Sequence, residues 1–309
     1  MQSMSKLRLR AAFADNERSR PLLDGSVAPE GIELDAIALT PGEIFARQLK
    51  GAEFDVSDMS LGSLLIATSH GPTGFLAFPV FTIRRFFHTN IIVRADAGIA
   101  EPADLRGKKV GVPEYQQTAN VWNRGVLQHE FGVRPSDMEW FMERNPDTSH
   151  GGATGFTPPP GIRLTYVPKD DNIGQMLLDG RLDALLFYAP HGNSIDRSTI
   201  DLTKRSEAQP LFPDPAAEGR RYFAKTGIFP INHCMVVRQS LAEEHPWVVA
   251  SLFDAFLAAQ TEKARAEMPY GMRANRLVLE TIATYLNEQG LTDHVVRLED
   301  VFASSTFAS

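Results

Sequence analysis

The first sixty residues alternate short segments of strand pattern with a segment of helix pattern. Apolar side chains alternate with polar or small ones in residues 7–13, and a second strand is predicted over residues 31–37. Pro41 begins a helical pattern that Gly51 is placed to end, because glycine adopts the left-handed cap at low cost. Residues 54–59 again form a strand pattern. This alternation predicts an α/β fold with helices on both faces of a mostly parallel sheet.

A short segment recurs in the second half of the chain. LKGAEFD at residues 49–55 and LDGRLD at residues 178–183 share a helix end, a glycine stop and an aspartate that leads into an apolar strand. Two copies of one unit at this separation indicate two similar lobes rather than a solenoid. The match is short, so chance similarity is the alternative interpretation.

The composition is that of a globular protein without a surplus of basic residues. The chain has 309 residues, of which 43% are apolar and 22% charged, and its formal charge is −7. Nonspecific binding of nucleic acid needs an excess of Lys and Arg, so no nucleic-acid partner is expected. A few arginines gathered in a cleft can still hold a small anion.

The sequence indicates neither a membrane segment nor an oxidising compartment. Residues 1–20 contain no apolar run of signal-peptide length, and no segment has the pattern of a membrane span. Cys234 is the single cysteine, so no intramolecular disulfide can form. We therefore expect a cytoplasmic protein with no membrane partner, and a homo-oligomer is compatible with these features.

Several kinds of chemistry lack their sequence signatures. The chain contains no GxGxxG, Walker-type loop, HExxH, CxxC or GxSxG motif, and none of its eight histidines forms a pair with close metal-ligand spacing. We therefore predict neither nucleotide binding nor a zinc site. The remaining candidates are polar side chains at strand ends, because ligands of open α/β sheets bind at the carboxyl ends of strands.

Two groups of polar residues follow predicted strands of the N-terminal region. Arg18 and Arg20 come after the first strand, and an arginine fork that makes two hydrogen bonds to a carboxylate suits a diacid. Solvated surface charges are the alternative. Ser57, Asp58 and Ser60 belong to the third strand and its end, where Ser60 is equally suited to cap the next helix.

Further candidates lie later in the chain. Arg84, Arg85 and His88 stand between two apolar strands. Gln116, Gln117 and Thr118 open a predicted helix, whose free N–H groups favour an anion; simple capping is the alternative.

His233 interrupts an apolar strand near residues 229–237. A lone histidine in such a strand is more often a hydrogen-bonded core residue than a catalyst, and only its titration near neutral pH favours catalysis. Both interpretations stay open on the residue pattern alone.

Longer motifs give the chain a resemblance to one enzyme family. ADAGIAEPADLRGKKVG at residues 95–111 is similar to a stretch common in relatives of type II periplasmic binding proteins. GVPEYQQTANVW at residues 111–122 resembles the GxPEYQxTAxVW motif of the 4,5-dihydroxyphthalate decarboxylase family. Matching segments elsewhere are FDVSDMSL at 54–61, RFFH at 85–88, TGIFPINH at 226–233 and PYG at 269–271. The resemblance therefore extends over nearly the whole chain.

The resemblance implies an α/β, two-lobed periplasmic-binding-protein type II-like fold. Each lobe would be a mixed, mostly parallel sheet flanked by helices, and two crossing strands, near residues 91–93 and 235–237, would join the lobes. Lobe 1 would comprise residues 1–93 and 235–309 with the C-terminal helices, and lobe 2 would be the insertion of residues 94–234.

The same layout would bring distant residues together around a substrate. His233 or His88 is then the candidate proton donor, and Asp58 or Glu114 the partner of a substrate hydroxyl. Asn16 and FYAPH at residues 187–191 depart from the family pattern, so the substrate can differ from the family's. The candidate substrate-binding residues are Arg18, Arg20, Ser57, Ser60, Arg85, Gln116, Gln117, Thr118, Tyr188 and His191.

The family's activity would make the chain an aromatic-acid decarboxylase that converts 4,5-dihydroxyphthalate to 3,4-dihydroxybenzoate. A ring hydroxyl supplies the electrons, so no organic cofactor is required; no protein metal site is predicted, and a divalent metal on the catechol oxygens stays open. The main alternative is a solute-binding protein of an ABC-type transporter for an aromatic acid or similar small anion, which needs no proton donor. A thiamine-precursor synthase on the same fold fits poorly, because its cysteine-rich site has no counterpart beside the single Cys234.

Overall fold

The computed structural model describes residues 6–147, 149, 154–190 and 196–309. Within them the chain forms two compact units, each with its own sheet. Unit 1 comprises the described residues up to Arg84 together with Ile231–Ala283 and Val295–Ser309, and unit 2 comprises those of Arg85–Pro230 together with Thr284–His294.

The strands of the described residues alternate with helices in the N-terminal half, as the periodicity predicts. In chain order the strands are β1 (Leu7–Phe13), β2 (Ile32–Ala38), β3 (Val56–Ser60), β4 (Phe75–Arg84), β5 (Ile92–Arg94), β6 (Lys109–Val112), β7 (Glu139–Met142), β8 (Arg163–Tyr166), β9 (Ala184–Leu185), β10 (Ala208–Pro210) and β11 (Ile231–Arg238).

Helices of very different length connect and cover these strands. They are α1 (Arg20–Leu23), α2 (Pro41–Gly51), α3 (Leu61–Ser69), α4 (Thr118–Phe131), α5 (Ile173–Leu178), α6 (Pro215–Thr226), α7 (Gln239–Glu244), α8 (Trp247–Ala259), α9 (Glu262–Glu267) and α10 (Met272–Glu288). None of the helices in the described part of the chain combines the length and the apolar character that a membrane span needs.

Both units contain a mixed sheet, and the α/β class predicted from the sequence is confirmed. The sheet of unit 1 has the order β2-β1-β3-β11-β4, in which β1 is parallel to β2 and β3 while β11 is antiparallel to β3 and β4. The sheet of unit 2 has the order β10-β5-β9-β6-β7-β8, with parallel pairs around β6 and β7 and antiparallel pairs around β5.

The repeated segment forms the same local structure in both units. Asp55 accepts a hydrogen bond from the backbone N–H of Arg10 at 2.9 Å, and Asp183 accepts one from the backbone N–H of Lys109 at 3.0 Å. Each aspartate thus joins the strand it precedes to the parallel neighbouring strand. The sequence similarity is therefore matched by equivalent contacts in β1–β3 and in β6–β9.

The units divide the chain differently from the predicted lobes. Residues 85–93 belong to unit 2, because β5 pairs with β9 and β10 rather than with β4. Residues 231–234 belong to unit 1, because β11 lies in that sheet from its first residue. The chain therefore passes between units at residues 84–85 and 230–231, whereas the sequence predicted the crossings near residues 91–93 and 235–237.

A C-terminal segment also departs from the predicted boundaries. Residues 284–294 join unit 2, where Gln289 accepts a hydrogen bond from Arg124 at 2.8 Å and donates one to the carbonyl of Val121 at 2.9 Å. Tyr285 packs so closely against Gly125 that a Cβ there would lie 2.0 Å from the ring. Tertiary contacts of this kind leave no periodic signal in the sequence.

The end of α2 corrects a second prediction. Gly51 is still helical, and the left-handed residue is Ala52, with φ 45°. The backbone N–H of Ala52 donates to the carbonyl of Gln48 at 2.9 Å, while the buried Gln48 side chain bonds both backbone groups of Phe54. These bonds hold the turn in a conformation that alanine adopts only at a cost.

Candidate active site

Asp58 lies on β3 and is fully buried in unit 1. One carboxylate oxygen accepts a hydrogen bond from the backbone N–H of Ala14 at 2.9 Å, and the other accepts one from the Thr82 hydroxyl at 2.5 Å. Burial raises the pKa of Asp58 to about 6 from its ordinary 3.8, against the lowering effect of these two bonds. The carboxyl group can therefore gain or lose a proton near neutral pH.

An irregularity in β4 brings Thr82 to Asp58. Met235 of β11 pairs with Phe78, but His233, two positions earlier, already pairs with Ile83, so residues 79–82 form a bulge. Pro79 lies in this bulge, where a strand residue need not donate a ladder hydrogen bond. The backbone N–H of Gly271, a residue with φ +97°, donates to the Pro79 carbonyl at 2.9 Å and holds the bulge from outside the sheet.

Arg18 and Arg84 supply positive charge near this bulge. Arg18 donates to the Thr82 carbonyl at 2.8 Å and to the Met268 sulfur at 2.9 Å, and its Nε is buried without a hydrogen-bond partner among the described residues. Burial, the larger cause, and the charge of Arg18, the smaller one, lower the pKa of Arg84 to about 10. Two guanidinium groups whose positive charges interact are suited to bind an anion together.

Tyr270 belongs to the same group of residues, although sequence reasoning gave it no role. Its side chain is 7% exposed, and its hydroxyl lies beside Gln260 without a hydrogen bond of normal geometry in the described residues. Burial raises the pKa of Tyr270, while Arg18 lowers it and Asp58 raises it. The hydroxyl is therefore a protonated donor close to both charged groups.

His233 lies on an inner strand of the sheet, near the ends of β3 and β4 where the polar groups of the site are found. Because β11 runs antiparallel to β3 and β4, its first residues lie where those strands end, and His233 pairs with Ser60 and Ile83. The His233 side chain is 5% exposed, and its ring centroid is 4.8 Å from that of Phe45 in an edge-to-face arrangement. This placement agrees with either a core or a catalytic role.

The two serines of β3 are both buried but differ in their hydrogen bonds. Ser60 is the N-cap of α3 and accepts from the backbone N–H of Ser63 at 3.5 Å and from its hydroxyl at 3.0 Å. Ser57 has a buried hydroxyl without a hydrogen-bond partner among the described residues. Capping accounts for Ser60, whereas Ser57 keeps a free polar atom inside the unit.

A cavity of about 490 Å³ adjoins these groups within unit 1. Its walls include Ala14, whose N–H binds Asp58, and Ile83, which follows Thr82 and pairs with His233. Leu39 and Ala38 add apolar surface from the end of β2. A cavity of this size with mostly apolar walls and a few polar groups is typical of small-molecule sites.

Unit 2 buries the other predicted carboxylate in an ion-pair network. Arg144 donates to Glu114 at 2.8 Å and to both oxygens of Asp196, at 2.6 and 3.0 Å. Burial alone would lower the pKa of Arg144, but these two carboxylates raise it above its ordinary value. Ser149 and Gln116 also donate to Glu114, at 2.7 and 2.5 Å. Glu114 is thus occupied by buried partners, whereas Gln116 uses only its Nε2, and its Oε1 is buried without a hydrogen-bond partner among the described residues.

The predicted helix start lies next to this network. Gln117 is the N-cap of α4, and its carbonyl accepts from the backbone N–H groups of Asn120 and Val121 at 2.8 and 3.0 Å. Thr118 is the first helical residue and is buried. The helix therefore begins directly after Gln117, which caps it through its backbone carbonyl.

His88 occupies an aromatic cluster in unit 2. Its Nε2 lies 3.2 Å from a Glu218 oxygen, and its ring lies 5.0 Å from that of Tyr222 and 5.8 Å from that of Phe212. Burial lowers the pKa of His88 to about 4, although Glu218 acts in the opposite direction. His88 is therefore neutral at neutral pH and a poor proton donor.

Three other predicted binding residues have polar partners of their own. Arg20 is exposed and forms an ion pair with Asp15 at 2.9 Å, and Arg85 is exposed and donates to Asn90 at 2.9 Å. Tyr188 donates to the Ile200 carbonyl at 2.8 Å, and burial raises its pKa to about 12. His191 lies outside the described residues.

Clusters of three or more His, Cys, Asp or Glu side chains suited to a metal ion are absent from the described part of the chain. The residues that sequence reasoning missed are Thr82 and Tyr270. Pro79 inside a strand pattern is the signal for the bulge that carries Thr82, and PYG at 269–271 was noted only as a motif.

The fold has counterparts among known proteins. A model of the family described as ABC transporter, phosphonate, periplasmic substrate-binding protein matches residues 31–284. The periplasmic aliphatic sulphonate binding protein SsuA from Escherichia coli superposes with a TM-score of 0.56 at 13% identity, over 97% of this chain and 93% of that chain. These matches define a protein of the periplasmic-binding-protein class.

Two curated relatives with higher sequence identity identify the family more specifically. A 4,5-dihydroxyphthalate decarboxylase of Comamonas testosteroni is 38% identical over 254 residues, which are 82% of this chain and 74% of the relative. One of Pseudomonas putida is 38% identical over 183 residues, 59% of this chain and 71% of the relative. The chain belongs to the phosphonate-binding family and to the 4,5-dihydroxyphthalate decarboxylase family. It is accordingly a carboxy-lyase.

Proposed function

We propose that this protein decarboxylates a hydroxylated aromatic acid, with 4,5-dihydroxyphthalate as substrate and 3,4-dihydroxybenzoate as product. The names of two relatives with 38% identity support the substrate. The observation that carries the proposal is the Asp58 group in unit 1, where a buried carboxyl with a pKa raised to about 6 is hydrogen-bonded to Thr82, whose carbonyl accepts from Arg18.

Proton transfer in this reaction needs one base and one acid. The substrate phenol gives its proton to Thr82, whose own proton passes to Asp58, and the ring then accepts a proton on the carbon that carries the carboxylate. The bond between that carbon and the carboxylate breaks, its electron pair returns to the ring, and CO₂ leaves. The phenol finally recovers its proton, so one proton is consumed for each CO₂ released.

His233 is the proposed donor of the ring proton. It is the third residue of β11, the strand that separates β3 from β4, and pairs with Ile83, which lines the cavity. An imidazole carries ring N–H groups that can donate a proton, and histidine is the most common general acid in enzymes. His88, with a pKa lowered to about 4, and Glu114, paired with Arg144, are less suited to these steps.

Arg18 and Arg84 are the proposed carboxylate-binding residues. Arg18 has only neutral hydrogen-bond acceptors, the Thr82 carbonyl and the Met268 sulfur, among its contacts in the described residues. A buried or half-buried cation with neutral partners attracts an anionic ligand. The hydroxylated ring carries the electron pair through the reaction, so the proposal requires no organic cofactor.

Purified protein tests this proposal directly. It would be mixed with a panel of hydroxylated benzoates and phthalates, with and without a chelator, while CO₂ release and product are followed. We expect catalytic release from 4,5-dihydroxyphthalate and none from phthalate, which lacks the hydroxyl. Tight binding of these acids without CO₂ release would reject the enzyme and favour the solute-binding alternative, which the family model and the SsuA fold similarity support.

A further inference from the structure

We infer that Tyr270 and Arg18 together hold the carboxylate that the reaction retains, an inference that rests on the proposed function. Arg18 Nε and the Tyr270 hydroxyl are both buried and both without a hydrogen-bond partner among the described residues. A buried polar group left without a partner costs free energy, so two such donors near one another indicate a site completed by a ligand.

The side chains around these donors fix their direction. Arg18 uses Nη1 for the Thr82 carbonyl at 2.8 Å and Nη2 for the Met268 sulfur at 2.9 Å, which leaves Nε. Gln260 lies beside Tyr270 and donates through Nε2 to the Met268 carbonyl at 3.1 Å. The segment around Met268 thus supports both donors, and a cavity of about 190 Å³ lined by Arg18, Gln260 and Met268 lies next to it.

The chemistry of the pair selects an anion. The guanidinium offers N–H groups, and the tyrosine hydroxyl keeps its proton because burial raises the pKa of Tyr270. A carboxylate has acceptors only and satisfies both groups. Arg84, close enough to Arg18 for the two charges to interact, adds to the positive potential at the same place.

The direction of electron flow decides which carboxylate is held. The leaving carboxylate loses its negative charge as CO₂ forms, so charge-assisted hydrogen bonds to it would stabilise the ground state more than the transition state. The second carboxylate of a phthalate keeps its charge throughout. Donors such as Arg18 and Tyr270 therefore help the reaction only when they bind that second carboxylate.

Tyr270→Phe tests this inference, because it removes one oxygen and keeps the ring. Titration calorimetry would compare phthalate, 3,4-dihydroxybenzoate and catechol, none of which requires turnover. We expect about 10- to 150-fold weaker binding of both phthalate and 3,4-dihydroxybenzoate, by the same factor, and unchanged binding of catechol. With 4,5-dihydroxyphthalate, KM should rise by that factor while kcat changes much less.

Tyr115→Phe is the matched control, since Tyr115 is also buried and its hydroxyl also lacks a hydrogen-bond partner among the described residues, but it lies in unit 2. Its affinities should equal those of the wild type. Weaker binding of phthalate alone would overturn the inference, because the leaving carboxylate would then be the one held; unchanged affinities in a folded Tyr270→Phe would overturn it as well. Failure of the wild type to release CO₂ from 4,5-dihydroxyphthalate would instead reject the proposed function.

Discussion

Each unit buries a carboxyl group beside the end of a strand, and the two units treat its charge differently. Asp58 in unit 1 has neutral hydrogen-bond donors, and burial raises its pKa to about 6. Glu114 in unit 2 lies 2.8 Å from Arg144, which also binds Asp196. A compensated charge is a structural element, whereas an uncompensated one that titrates near neutral pH is a candidate for chemistry.

The same contrast extends to the cations. Arg144 has two carboxylate partners, while Arg18 donates to a carbonyl and a sulfur. Unit 1 therefore keeps positive charge and a titrating carboxyl group available at the edge where β3 and β4 end. This asymmetry supports unit 1 as the location of the proposed chemistry, and substitutions in matched pairs test it.

Asp58→Asn should have the largest effect on activity. It removes the proton acceptor, so turnover should fall by about 10²- to 10⁴-fold, the usual contribution of a positioned acid or base. The melting temperature at pH 7 should not fall, because the cost of burying a carboxylate disappears with it. Turnover and thermal denaturation measured on one sample check both parts; normal turnover would remove Asp58 from the mechanism.

Glu114→Gln should have the opposite profile. Breaking a buried ion pair costs roughly 3–5 kcal/mol, and the lower end applies here because Asp196 still compensates Arg144. Chemical denaturation should show this loss, while turnover per folded molecule stays near that of the wild type. A stable variant with low turnover would show that Glu114 takes part in the reaction, and the proposed difference between the two carboxyl groups would then be wrong.

The histidines form a second matched pair. His233→Gln should keep the fold and lower turnover by about 10²- to 10⁴-fold with a much smaller change in substrate affinity. His88→Gln should lower the melting temperature, because it disturbs the aromatic cluster around Tyr222 and the contact to Glu218. If instead His233→Gln only lost stability, and activity followed the folded fraction, His233 would be a core residue.

The pH dependence of stability gives a smaller and more specific test. Asp58 binds its proton more tightly in the folded chain, with a pKa of about 6, than in the unfolded chain, near 3.8. Its contribution therefore favours the folded state at low pH and is lost as the pH rises from about 4 to about 6. Relative to Asp58→Asn, the wild type should lose about 2 to 3 kcal/mol across this window. Parallel stability curves would show that the pKa is not raised.

The sequence predicted the fold better than the site, for physical reasons. Periodicity located β1 and α2, and the aspartates Asp55 and Asp183 marked a repeat that both units contain. These signals are local in the chain. By contrast, whether a carboxyl group is compensated depends on a distant partner: Arg144 for Glu114, or a hydroxyl carried by a strand bulge for Asp58. Arg18 and Arg20 look alike in sequence and differ only through such contacts.

Arg18 and Arg20 provide the last and smallest contrast. Arg18→Ala should weaken binding of the substrate carboxylate by roughly 1.5–3 kcal/mol, about 10- to 150-fold, because a charge-assisted hydrogen bond is lost. Arg20→Ala should leave affinity unchanged, since Arg20 is exposed and paired with Asp15, and surface ion pairs contribute little. Titration calorimetry with 3,4-dihydroxybenzoate on folded variants separates the two. Equal losses would mean that the fork of both arginines holds the acid, and unchanged affinity in both would shift the anion site to Arg84 alone.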